Sequence, residues 1–184
     1  MPATRELILR CHPALPCVAV SAIAVSVQLT EGGDLALCYD VRGAADGMRI
    51  PAPRVSGASD GLWRHTCCEA FVAAVDGPEY REFNFSPSGE WAAYRFTAYR
   101  ERDAGFVPPV APQLDFRHTA DGFHLHARIP GALLPPSGAW QVGLNAVIEA
   151  ADGATSYWAL AHAAAQPDFH HPQSFTLPLN IAKP

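Results

Sequence analysis

Residues 62–100 constrain this chain more than any other stretch, because side-chain character there alternates with period two through three consecutive runs. Successive side chains of an extended strand point to opposite faces, so this period marks strands with two chemically different sides. Over residues 69–75, Phe71, Ala73 and Val75 share one face, opposite Cys68, Val72 and Ala74. Asp76-Gly77-Pro78 then turns the chain. Over residues 80–85, Arg81, Phe83 and Phe85 oppose Tyr80, Glu82 and Asn84. After the turn Ser86-Pro87-Ser88-Gly89, Ala92, Tyr94, Phe96 and Ala98 oppose Trp91, Ala93, Arg95 and Thr97. The pattern predicts an antiparallel meander, and a face combining Glu82, Asn84 and Arg95 with nearby aromatics is a candidate ligand surface. A solvated outer face is the plain alternative.

The rest of the chain repeats the theme. Short extended runs are expected at residues 6–10, 18–29 and 35–41, with Glu31-Gly32-Gly33-Asp34 as a hairpin turn. Further runs lie at 114–119 and 123–129 around Asp121-Gly122, then at 140–149, 157–160 and 174–179. The run at 140–149 backs a core face, including Trp140, with an amide and a carboxylate, Asn145 and Glu149. Pro178 cannot donate to a central ladder, so the last run reads as an edge strand. Roughly ten short strands with regular turns and no sustained helical period predict an all-β fold. We read residues 1–184 as a single-domain antiparallel β-sandwich, jelly-roll or immunoglobulin-like in form.

Composition narrows the function classes. The 17 prolines and 14 glycines in 184 residues favour turns over long helices. A net charge of -5 provides no basic footprint, so neither nucleic acid nor membrane is an expected partner. The five cysteines, with Cys67 adjacent to Cys68, form no regular disulfide framework and point to a reducing, cytoplasmic setting. Arg5 and Arg10 precede an apolar run at 17–27, which the sequence reads as a strand rather than a secretion signal. His124 and His126 share one strand face but have no third ligand nearby in sequence, so no metal site is expected.

Trp63, then Cys68-Glu69-Ala70-Phe71, then residues 80–89 (YREFNFSPSG) together resemble DOMON-like domains and the related family-nine carbohydrate-binding modules. Tyr157-Trp158-Ala159-Leu160, Pro167-Asp168-Phe169-His170 and Phe175 are similar to the closing part of the same group, in the bacterial branch found beside UDP-N-acetylmuramate dehydrogenase-like proteins. The resemblance implies a β-sandwich that binds a sugar or, in other branches, haem. For the sugar, it implies Trp63, Trp91 and Trp158 as stacking rings, although Trp91 and Trp140 are equally suited to a core. It implies Glu69, Glu82, Asn84, Arg95, Asn145 and Glu149 as polar partners. Aromatic faces suit the C–H groups of a pyranose, and short fixed polar groups suit its hydroxyls.

Two alternatives remain at this level. Haem needs an axial pair, and Met48 with His124, His126, His162 or His170 would have to supply it. Glycoside hydrolysis needs two carboxylates flanking a cleft, roughly 5 to 9.5 Å apart, and Glu69, Glu82 and Glu149 are the acids available. No nucleophile elbow, phosphate-binding glycine loop or zincin helix is present. The expectation is a non-catalytic domain without a cofactor that binds a small sugar-like molecule, a carbohydrate or amino-sugar derivative. The runners-up are haem binding and a protein-interaction module, and the oligomeric state is left open.

Overall fold

A computed structural model describes residues 4–180 and builds them from twelve β-strands and four short 3-10 turns, with no α-helix among the described residues. The strands are β1 (Arg5–Cys11), β2 (Val20–Leu29), β3 (Leu35–Gly43), β4 (Cys67–Ala74), β5 (Tyr80–Phe85) and β6 (Trp91–Ala98). They continue as β7 (Glu101–Arg102), β8 (Gln113–Thr119), β9 (Gly122–Ile129), β10 (Ala139–Glu149), β11 (Thr155–Ala159) and β12 (Leu177–Asn180). Each named strand pairing is antiparallel.

Two layers form from one hydrogen-bonded path. One layer runs β1-β2-β3-β9-β8 and the other β7-β6-β5-β4-β10-β11, with β12 also pairing β10. β1 joins them: Arg5 to Leu9 pair with β2, whereas Arg10 and Cys11 pair with β11. The facing sides of the layers fill one core, in which Ile23, Val25, Tyr39 and Leu125 meet Phe83, Val142, Leu144 and Trp158. This is the antiparallel β-sandwich that the period-two pattern predicts. The Tyr39 hydroxyl crosses the core to donate to the Glu69 carbonyl at 2.6 Å, which satisfies a polar group that would otherwise be buried unpaired.

β4 and β5 are buried on both faces. Their second face is covered by the segment after β11, expected from sequence only as a looser stretch. That segment packs so closely that a Cβ on Gly143 would lie 2.8 Å from a ring carbon of Phe175. Glycine on β10 therefore lets the chain return over the sheet. The closing strand starts at Leu177 rather than Ser174, because Pro172–Ser174 forms a 3-10 turn capped by His171, whose Nδ1 accepts from the Gln173 N–H. Phe71, Tyr80, Phe96, Phe169 and Phe175 make a second, smaller aromatic cluster there.

Trp158 tests the layer assignment. It is 6% exposed in the main core, and its indole N–H donates to Ser156 Oγ at 3.0 Å. Trp158→Ala is expected to cost about 3–5 kcal/mol in chemical denaturation, and a loss below about 1 kcal/mol would contradict the core placement.

Candidate functional site

Strand register decides which side chains share the second face. Glu69 pairs with Asn84 on one side and with Asn145 on the other, and Asn84 pairs onward with Ala92. One step along, Phe71 pairs with Glu82 and Glu82 with Tyr94. Directly paired residues point the same way. The face therefore carries Glu69, Glu82, Asn84 and Asn145 among Phe71, Tyr94 and Phe96, and the chain after β11 closes over part of it.

A cavity of about 540 Å³ remains between them. Its floor holds Glu69, Glu82, Phe71 and Val147, and its walls include Tyr94, Phe96, Tyr157 and Phe169. Trp63, 46% exposed on the 3-10 turn Leu62–Arg64, and Leu15 also border it. Asp60, Arg100, Arg102 and His170 add charge and polarity. Arg100 adopts φ 58°, and its backbone N–H donates to the Tyr80 hydroxyl at 3.0 Å, which fixes the turn between β6 and β7. Its guanidinium reaches Asp168 at 2.8 Å and so ties the covering segment to that turn.

The floor is electrostatically unusual. Burial pushes the Glu69 carboxyl well above the ordinary carboxylate range, and the neighbouring Glu82 adds to the rise. Burial likewise pushes Glu82 up to about 7, against the pull of the Asn84 hydrogen bond and of Arg102 and Arg100. Asn84 Nδ2 donates to Glu82 Oε1 at 2.7 Å, and Asn84 is fully buried, so it orients the acid rather than facing the cavity. His170 is pulled down to about 4 by burial, with Arg100 adding to the shift. It is therefore neutral near pH 7, with Nδ1 hydrogen-bonded to the Tyr80 hydroxyl at 2.8 Å. Among the described residues, Glu69 Oε1 and both amide atoms of Asn145 have no hydrogen-bond partner.

Of the residues singled out from sequence, Trp63, Glu69 and Glu82 line this cavity. Asn84 and Asn145 stand beside the two acids in the same buried row. Glu149 lies at the far end of β10, bonded to Arg49 at 3.0 Å and to His65 at 2.8 Å. Trp91, Arg95 and Trp158 project from the opposite face, which corrects their grouping with Glu82. Trp91 and Trp158 belong to the main core because they alternate with cavity-facing neighbours. Arg95 pairs with Glu79 at 2.6 Å on that side. Met48 is packed in the same core, and His124 and His126 contact Asp40 and Cys38 on the other layer, so these residues do not converge as a haem-ligating set. Sequence reasoning missed Tyr94, Phe96, Tyr157, Phe169 and His170 as cavity residues. Tyr94 and Phe96 were readable in principle, since the turn between β5 and β6 puts them on the Glu82 side.

No protein-family model matches the chain, and no curated protein matches it in sequence. Solved structures do match its fold. A protein from Bacteroides uniformis ATCC 8492 with a proposed carbohydrate-binding role aligns over 97% of this chain and 86% of its own, at 18% identity and TM-score 0.68. A carbohydrate-binding module of family nine from Caldicellulosiruptor kristjanssonii, solved with cellotriose, aligns over 94% of this chain and 82% of its own, at 10% identity and TM-score 0.56. The chain thus shares the β-sandwich fold of family-nine modules.

The buried acids predict a pH dependence of stability. Folded Glu82 keeps its proton to about pH 7, against an ordinary value of 4.5, so between these values the folded state binds more protons and stability falls as pH rises. For Glu82 the whole fall is roughly 3 kcal/mol. His170, at about 4 against 6.5, acts with the opposite sign below pH 6.5. Only the acids of this set act above that point. The melting temperature is therefore expected to fall from pH 6.5 to 8, and to fall less in Glu82→Gln. A wild-type melting temperature that rises over this range, or an unchanged slope in the variant, would show that Glu82 is already ionised.

Proposed function

We propose that this cavity binds a carbohydrate and leaves it chemically unchanged. The observation that carries the reading is the pairing, in one 540 Å³ cavity, of aromatic walls with a floor of buried carboxyl groups. That volume falls within the roughly 300–1,000 Å³ typical of small-molecule sites. Rings present flat apolar surface to the C–H face of a pyranose, while Glu69 and Glu82 offer fixed hydrogen-bonding groups to hydroxyls. The fold shared with a module solved with cellotriose supports the same ligand class. So do the short motifs around Cys68 to Phe71 and residues 80–89, which resemble DOMON-like domains.

Binding without turnover is supported by the fold shared with a carbohydrate-binding module. Glycoside hydrolysis places its two carboxyl groups on either side of the scissile bond. Glu69 and Glu82 rise from adjacent strands of one sheet face, on the floor of the cavity.

Trp63 provides the test, with cellotriose and a panel of monosaccharides as probes in calorimetric titration. Trp63→Ala is expected to weaken binding about tenfold through lost stacking area, while moving the melting temperature by less than about 2 °C. Undiminished affinity in the variant would remove Trp63 from the site. Failure of every sugar to bind the wild-type protein would overturn the carbohydrate reading itself.

A further inference from the structure

The floor of the cavity carries more acid than its surroundings neutralise. Glu69 and Glu82 lie one diagonal step apart, since Glu69 pairs with Asn84 and Glu82 precedes Asn84 by two residues on the same strand. Diagonal neighbours on a sheet face are about 7–8 Å apart at the backbone, within joint reach of one small group held between two glutamates. Both side chains are nearly fully buried, and Glu69 Oε1 has no hydrogen-bond partner among the described residues.

Nearby cations are engaged elsewhere. Arg100 reaches Asp168 at 2.8 Å. Arg102 lies 3.5 Å from Asp60, with its guanidinium carbon 4.0 Å from the centre of the Tyr94 ring. His170 Nε2 is 3.7 Å from Glu82 Oε2, but burial keeps the ring neutral near pH 7. Asn84 supplies Glu82 with a neutral donor only.

Buried carboxyl oxygens without a counter-ion are complementary to a compact cation with several donors. A primary ammonium has three, whereas a sugar hydroxyl donates one hydrogen bond. The rings of Phe71 and Phe96 beside the floor also suit a cation, which is drawn to the negative face of an aromatic ring. Resting on the carbohydrate reading above, we propose that the preferred ligand is a sugar bearing a free primary amine, seated with its ammonium group between Glu69 and Glu82.

The proposal has a proton signature. The titratable and charged groups lining the cavity are Asp60, Glu69, Glu82, Tyr94, Arg100, Arg102, Tyr157 and His170. Of these, Glu82, pushed up to about 7 by burial, holds its proton in large part near pH 6.5, and burial raises Glu69 as well. Seating an ammonium between them favours both carboxylates, so on the order of one proton is released per ligand bound.

Calorimetric titration of the full chain at pH 6.5 with glucosamine, glucose and N-acetylglucosamine, each in two buffers of different ionisation enthalpy, tests this. Glucosamine is expected to bind roughly tenfold tighter than glucose, as a charge-assisted contact outweighs a neutral one. Net proton release should accompany it, and N-acetylglucosamine should lose the advantage. Glu69→Gln and Glu82→Gln should each weaken glucosamine more than glucose, and so shrink the preference. Glucose or N-acetylglucosamine binding as tightly as glucosamine, or no proton release, would overturn the proposal and leave the carbohydrate reading standing. Binding of 2-aminoethanol with no sugar bound would instead support the cation site and overturn the carbohydrate reading. Silence from all four compounds would overturn the proposal, and silence from cellotriose as well would overturn the carbohydrate reading.

Discussion

The pairing of β4 with β5 that sets Glu69 opposite Asn84 governs the rest of the site. That register puts Glu69, Glu82 and Asn84 on one face with Phe71, and the β10 pairing adds Asn145 to the same row. A slip of β5 by one residue would send Glu82 into the main core and bring Phe83 to the cavity, parting the two acids. The main core resists such a slip, because Phe83, Phe85, Val72 and Leu144 are all essentially inaccessible to solvent within it. Packing on one side of the sheet thereby positions the chemistry on the other.

Burying carboxyl groups is unfavourable unless they remain protonated or find partners. Here the cost is met partly by the Asn84 amide and partly by retained protons. The covering segment closes the surroundings: Phe175 fits against Gly143, and Asp168 links to Arg100 on the turn between β6 and β7. His170 stands between these parts, edge-on to Phe71 and Phe96 with centroid separations of 5.0 Å in each case. Aromatic walls, acidic floor and tethered cover together make a confined site of mixed polarity, the kind of surface a polyol fits.

Much of the fold was legible because each strand declares itself by alternation. β5 matches the predicted run of residues 80–85, and the hairpin at Asp121-Gly122 joins β8 to β9 as its turn residues imply. Faces were harder to read, because alternation shows which residues share a side within a strand, but only the turn shows which sides match between strands. Phe85 pairs with Trp91 across residues 86–90, so Glu82 meets Tyr94, and Arg95 falls with Arg81 on the other side. An even shift in the turn preserves that grouping, whereas an odd shift reverses it. Tyr157 and Phe169 depended on a long-range return of the chain that no local period encodes. Trp91 and Trp158 show the same limit: a tryptophan is equally at home in a core and on a sugar platform, and only its neighbours across the sheet distinguish the two.

The chain has four tryptophans, one at the cavity and three in the core. A titration followed by indole N–H resonances in two-dimensional NMR reads all four at once, with cellotriose and glucosamine as probes. The Trp63 resonance is expected to move in a saturable manner while those of Trp91, Trp140 and Trp158 shift little. Saturable movement of the core indoles with a stationary Trp63 would place the ligand elsewhere and contradict the assignment of this cavity.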